Sequence, residues 1–295
     1  METLESLSDA LDTTGNIQAI VRTMKALSSV SIRQYEQAER AMESYARTVE
    51  LGLMAVLRQR RFAGLPLPDS NRAAARSALI VVGSDRGLCG GYNDKITRFA
   101  RSRIADGPVE LGVIGARVAA RFGADGKPLA FALNLPGSAE GLSRLVQTII
   151  VEIDRWTQAQ GVGQLLLLHN RREGRATANP TTQHLLPLPD SYLRKLSDAD
   201  WPGRSLPVYR MDPDRLMSWL VQQRLFVVIH RALAEALASE HASRLVAMQA
   251  AERNIEERRD DLQQLYRQRR QETITRELLD VVTGFEAVST ADRLP

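Results

Sequence analysis

Apolar positions recur every three or four residues at both ends of the chain and far less regularly between them. Near the N-terminus Leu4, Leu7 and Leu11 are followed by Ile17, Ile20, Met24 and Leu27, then by Met42, Tyr45, Val49, Leu53 and Val56. Near the C-terminus Val221, Leu225, Val228, Ala232 and Leu233 lead into Leu245, Met248, Ala251 and Ile255. Leu262, Leu265, Ile274, Leu278, Val281 and Phe285 complete that series. Such spacing sets side chains along one face of a helix. The helix breakers agree. The chain has 19 Gly and 12 Pro, yet none falls in residues 16–51 or 214–283. Chance alone would put roughly seven in the second stretch. Asp212, Pro213 and Asp214 supply a start for the last helix: a capping side chain, a residue suited to the first helical position, and a carboxylate at the positive end of the helix dipole.

A helix over residues 214–283 would span ~105 Å at ~1.5 Å per residue, against a radius of gyration of ~19 Å for a compact chain of this length. It must protrude, and its apolar stripe needs a partner. The N-terminal helix is the available one. The chain enters its middle from one helix and leaves into the other, so the two are expected to run antiparallel as a loose coiled coil.

The middle alternates. Ser77–Val82, Leu111–Gly115, Ala130–Leu133 and Leu165–Asn170 read as strands, and His184–Leu188 as a last, edge strand. Helices are expected over Gly91–Ile104, Val118–Phe122 and about Ser138–Gln158. Strand-helix alternation implies an α/β layer with a mostly parallel sheet, Rossmann-like in kind. The expected organisation is an N-terminal coiled-coil helix over 1–62, a central α/β domain over 75–208, a C-terminal coiled-coil helix over 212–288 that pairs with the first, and a tail over 289–295.

Composition changes this picture little. Of 295 residues 44% are hydrophobic and 25% charged, and the net charge of +4 is too small to argue for nucleic acid. Some of the arginine excess suits an acidic protein partner. A single cysteine, Cys89, rules out an internal disulfide. No apolar run approaches the ~18 residues of a membrane span. The acidic start, with Glu2, Glu5, Asp9 and Asp12 before the first basic residue Arg22, argues against a secretory signal or an Arg-rich presequence.

Candidate chemistry is sparse. Gly83-Ser84-Asp85-Arg86-Gly87-Leu88-Cys89-Gly90-Gly91 follows the first strand, where backbone amides can cradle phosphate. The glycine spacing fits neither the dinucleotide fingerprint nor the P-loop, so a tight turn with close backbone packing is the better expectation. Cys89 has no histidine near it in sequence and reads as a small core residue. The four histidines, 169, 184, 230 and 241, lack metal-ligand spacing. No nucleophile elbow occurs, and no cofactor is expected. Glu252–Asp261 reads as a solvated helix face. From spacing alone, a coiled-coil scaffold or adaptor carrying an α/β domain is the leading reading.

Three stretches resemble one known family. Ala238–Asn254, ASEHASRLVAMQAAERN, with Leu265–Gly284, LYRQRRQETITRELLDVVTG, is similar to the C-terminal signature of gamma subunits of F-type ATP synthases. Ser84–Asn93, SDRGLCGGYN, resembles that family's strand-turn motif, and Asn16–Arg33 resembles its N-terminal helix more distantly. The resemblance implies a non-catalytic central rotor. Its paired helices would enter a ring of three alpha and three beta subunits that holds the catalytic sites. Its α/β domain would meet the epsilon subunit and the c-subunit ring. It would touch the membrane only through partners, at the cytoplasmic face of a bacterial inner membrane. Residue by residue, Arg270, Gln271 and Thr275 match positions that contact the beta subunit, with Glu277 beside them, and Met24 matches a second beta contact. Asp85, Arg86, Gly87, Cys89, Gly90 and Gly91 match a turn on the epsilon and c-ring side. Ser31 and Gln249 stand where the family has Lys, and Lys25 where it has an acidic residue, the departures of a divergent bacterial branch.

Overall fold

A computed structural model describes residues 3–64, 76–104, 109–174, 177–204 and 207–291, without the side chains of 173, 177 and 284–291. The stripe residue Phe285 and the tail charges Asp292 and Arg293 therefore lie outside what is described. Helix α1 runs Leu4–Ala41 and α2 Glu43–Phe62. Strand β1 (Arg76–Val82), α3 (Tyr92–Ile104), β2 (Val109–Ile114), α4 (Ala116–Ala124) and β3 (Phe131–Leu133) follow. After a single 3₁₀ turn come α5 (Leu142–Ala159), β4 (Val162–Glu173), β5 (Thr177–Leu186), α6 (Asp190–Asp198) and α7 (Pro213–Ala291). The chain forms two compact units. Unit 1 comprises 1–27 with 247–295, and unit 2 comprises 28–246.

In unit 2 the sheet order is β3-β2-β1-β4-β5. β1 pairs parallel with β2 and β4, β2 parallel with β3, and β5 antiparallel with β4. Side chains alternate along β1. Leu79 and Val81 join Ile96 and Ala100 of α3 and Val118 and Phe122 of α4 in one core. Ala78, Ile80 and Val82 join α5 and the Leu225–Ala238 stretch of α7 in another. α5 forms because Leu142, Leu145, Val146, Ile149, Ile153 and Trp156 line up at helical spacing and are buried together. A third cluster unites α2, α6 and the start of α7 through Val49, Leu53, Leu57, Leu193, Leu196, Met217 and Leu220.

Four elements differ from expectation. The first helix is two: at Met42 the backbone tightens to an i→i−3 bond, Met42 N–H to Glu39 C=O at 3.2 Å, with no Gly or Pro to cause it. The edge strand begins at Thr177, seven residues before His184, and passes through Pro180, which a strand at the sheet edge tolerates. Helix α6 was not anticipated. α7 starts as its sequence indicates: the Asp212 carboxylate accepts from the Asp214 and Arg215 amides at 3.1 and 2.9 Å. It also continues to Ala291, three residues into the segment set apart as a tail.

In unit 1 the helices pair antiparallel, since partners fall in number on α7 as they rise on α1. Gln18 accepts from Arg259 at 3.0 Å, Arg22 donates to Glu252 at 3.1 Å, and Lys25 also meets Glu252. The inward row is Leu4, Leu7, Leu11, Thr14, Gln18, Val21 and Lys25, all at least partly buried. That is a strict alternation of three and four, a tighter seven-residue repeat than the apolar residues alone suggest. The apolar stripe Ile17, Ile20 and Leu27 instead faces outward, with Ile20 60% and Leu27 62% exposed. Polar residues take the seam because α7 offers Glu252 and Arg259 to receive them.

Candidate functional site

In open α/β sheets ligands bind at the carboxyl ends of the strands, where the strand order reverses. Here that crevice lies between the ends of β1 and β4, and the chain fills it with its own side chains. Asn170, at the end of β4 and fully buried, donates to the Tyr92 carbonyl at 3.1 Å. The Tyr92 hydroxyl donates to the Ala236 carbonyl of α7 at 2.9 Å. His169 Nε2 meets the Glu235 carboxylate of α7 at 2.9 Å.

The glycine-rich turn is occupied in the same way. Asp85 accepts from the Ala116 amide at the start of α4 at 2.9 Å, and from the Leu135 amide at 2.8 Å. Its carboxylate thus sits at the helix end a phosphate would use. A Cβ on Gly83 would lie 2.2 Å from Val118 Cγ2. One on Gly115 would lie 2.8 Å from the Gly83 backbone. Glycine is required here for packing, and no phosphate cradle remains. Cys89 points inward, its sulfur accepting from Asn93 Nδ2 at 3.4 Å and lying 3.7 Å from Ser84 Oγ. Burial pushes its thiol above the ordinary value, so it is not an activated nucleophile. Leu88 holds a left-handed φ of 61° and is exposed, as are Arg86 and Gly90.

The turn grips α7 through Arg244. This guanidinium, on a residue 4% exposed, donates to the Gly87 carbonyl at 3.2 Å, the Arg86 carbonyl at 3.4 Å and the Glu240 carboxylate at 2.5 Å. Burial raises the Glu240 carboxyl above its ordinary value, and Arg244 offsets part of that. His241 stacks on Tyr35 of α1, ring centroids 5.7 Å apart. Burial, with Arg244 and Arg86 alongside, pushes its imidazole down to about 4. A depressed imidazole favours the fold while neutral. Its contribution is complete above about pH 6.5 and is lost as pH falls toward 4. Chemical denaturation of His241→Gln should therefore show a flatter loss of stability between pH 7 and 4.5 than the parent chain does.

Glu240, His241 and Arg244 fall within the family-like stretch Ala238–Asn254, but their pairing was not read from the sequence, although a signal existed. Glu240 and Arg244, with Glu235, interrupt a stretch, Ala232–Val246, that carries Ala, Leu or Val on nearly every side. A helix apolar all round is a buried one, and charges inside it must be paired. The expected contact residues lie elsewhere. In unit 1 Arg270, Gln271, Thr275 and Glu277 are all exposed, on two adjacent stripes of α7 with Ile274, Leu278, Val281 and Val282. Nothing on α7 after Leu262 is fully buried among the described side chains. Met24 is half-buried beside the outward stripe of α1. Among the described residues no cluster of His, Cys, Asp or Glu could hold a metal ion, and no helix is long and apolar enough to cross a membrane.

A family model described as ATP synthase matches residues 3–288. Solved structures with the same fold include a chain of the Euglena gracilis mitochondrial ATP synthase, OSCP/F1/c-ring, in rotational state 3. It is 16% identical with a TM-score of 0.69, over 99% of this chain and 96% of that one. A chain of the Euglena rotor in rotational state 1 aligns at 16% identity and TM-score 0.65, over 92% and 98%. One from the Tetrahymena thermophila mitochondrial central stalk/c-ring aligns at 18% and 0.57, over 79% and 99%.

Proposed function

We propose that this chain, which belongs to the ATP synthase gamma-subunit family, is the non-catalytic central shaft of a rotary ATP synthase/ATPase. It turns inside a ring of alpha and beta subunits, whose beta subunits hold the catalytic sites, and couples that turning to ion flow through a c-subunit ring. The observation that carries this reading is the pair of exposed apolar stripes on unit 1. Its seam mixes Leu7, Val21, Met248 and Leu262 with Thr14, Gln18, Lys25 and Glu252, while Ile17, Ile20, Leu27, Ile274, Leu278 and Val281 stand in solvent. Burying one such apolar side chain contributes about 1.5–3 kcal/mol, so a helix pair built to stand alone would not leave six of them exposed. Outward apolar stripes on both helices fit a partner that surrounds the pair.

The polar seam serves the same role. Buried polar residues in a coiled coil fix register at a cost in stability, and a shaft must not slide along its own seam. Arg270, Gln271, Thr275 and Glu277 then engage a beta subunit near the end of α7, and Met24 a second beta element. The outward edge of the glycine-rich turn, Arg86, Gly87, Leu88, Gly90 and Gly91, is assigned to a contact on the epsilon and c-ring side. Rotation acts as a rigid-body change, each orientation favouring different conformations of the surrounding subunits. Co-expression with alpha and beta subunits is the test. The chain should copurify with three of each, and coupled ATP hydrolysis should depend on it. A chain that stays outside a stable alpha-beta complex refutes the reading.

A further inference from the structure

One cavity of unit 2 plays no part in the grip on α7 and matches no partner surface assigned above. It lies between α2, α6, α7 and the β4–β5 edge and encloses about 270 Å3. Val49 of α2 and Val227 of α7 line it with Arg171 from β4, Arg224 and Arg231 from the same face of α7 as Val227, and the buried His169.

The acids around this cavity are already engaged. Glu235 is held by His169 at 2.9 Å, and Glu39 faces Arg231 at 3.5 Å. Glu50 meets the Tyr192 hydroxyl. The bases are less well served. Arg171 lies 3.9 Å from Glu235, beyond hydrogen-bond range. Arg224 hydrogen-bonds the Tyr192 side chain and lies over its ring, its Cζ 4.4 Å from the centroid, which leaves its other nitrogens to be served. Arg224 Nη1, Arg231 Nε and His169 Nδ1 are all buried without a hydrogen-bond partner. The two arginine nitrogens are obligate donors, while His169 Nδ1, on a ring whose Nε2 faces the Glu235 carboxylate, is the acceptor of a neutral imidazole. Two unpartnered donors on residues that line one cavity call for an acceptor.

The donors come from separate residues on a helix and a strand, which suits a tetrahedral oxyanion better than one planar carboxylate. Tyr192 and the valines can pack against an organic remainder. We propose that this cavity is a binding site for a small phosphate-bearing anion, held by Arg171, Arg224 and Arg231 beside the His169 ring. Bound there, the anion ties β4 to α7 beside the grip on that helix. The inference does not depend on the rotor reading.

The test uses the full chain, whose four histidines allow each ring signal to be assigned by substitution. Inorganic phosphate and adenosine monophosphate are titrated at constant ionic strength while the ring resonances are followed by NMR. The His169 signal should shift saturably and that of His184 should stay. Arg224→Gln and the exposed Arg171→Gln should each weaken binding about tenfold. Tighter binding of the nucleotide identifies an organic phosphate as ligand, and equal binding identifies the bare ion. The absence of a saturable His169 shift at millimolar ligand overturns the proposal. So does an equal shift with succinate or chloride, or binding that both substitutions leave intact.

Discussion

Deleting residues 263–295 should leave unit 2 folded and cut ATP-driven ion pumping by the assembled complex about fivefold or more. The size follows from what coupling between sites is usually worth, about 1–3 kcal/mol. The cores of unit 2 draw nothing from beyond Ala238. The deleted stretch holds the exposed Ile274, Leu278, Val281 and Val282 together with Arg270, Gln271, Thr275 and Glu277. It is therefore dispensable for the cores of unit 2 and, on the proposed rotor reading, needed where the ring meets the shaft. Circular dichroism of the isolated truncation checks the first half, and pumping in vesicles carrying the reconstituted complex checks the second. Pumping at the level of the intact chain would remove the role assigned to the end of α7. An unfolded truncation would show instead that unit 2 leans on that end.

Arg244→Met should destabilise unit 2 by about 3–5 kcal/mol, the usual cost of leaving one partner of a buried ion pair behind. For a unit of this size that is a fall in melting temperature of roughly 10 °C. The Glu240 side chain left behind is 6% exposed, and the Arg86 and Gly87 carbonyls lose their donor. A carboxyl raised by burial favours the fold while protonated, so its contribution is present at low pH and lost as pH rises through the raised value. The loss in Arg244→Met should accordingly be larger at pH 8 than at pH 5.5. Replacing both residues, Glu240→Gln with Arg244→Met, should recover much of the stability, because no uncompensated charge remains. Denaturant unfolding of the two singles and the double gives the coupling directly. A single substitution that costs less than about 0.5 kcal/mol, as surface changes do, would mean that the turn does not depend on this contact. On the proposed rotor reading the same single should also lower ions pumped per ATP in the assembled complex.

The α/β layer was legible because burial on both faces leaves a strong mark. Ser77–Val82 and Leu165–Asn170 are near-continuous apolar runs, and both are central parallel strands. The edge was less so. Pro180 and the polar Thr181, Thr182 and Gln183 look like a loop, and only pairing with β4 reveals a strand. The seam of unit 1 was read on the right face at Leu4, Leu7 and Leu11 and on the wrong one at Ile17, Ile20 and Leu27, for a related reason. Two stripes coexist on α1, one apolar and one mixed, and hydrophobicity alone selects the first. The mixed stripe faces inward because of Glu252 and Arg259, which lie 227 or more residues from their partners in sequence. The hold of Arg244 on the turn was hidden likewise, since its acceptors there are main-chain carbonyls, which no sequence pattern marks; only its Glu240 partner, four residues before it, is visible in the sequence. The exposed end of α7 needed no such partner and was plain from the breaker-free run.

The seven-residue repeat in unit 1 also fixes a handedness. Helices that keep a 3.5-residue repeat wind about each other left-handedly, because the straight α-helix drifts by about 20° per heptad. A two-stranded rope of given hand responds unequally to the two senses of twist. One sense draws its strands together and presses Leu7 and Val21 further into the seam. The other spreads them and strains the ion pairs of Glu252 with Arg22 and Lys25. The helix pair is therefore stiffer when driven one way than the other, an elastic bias set by which side chains recur every seventh residue.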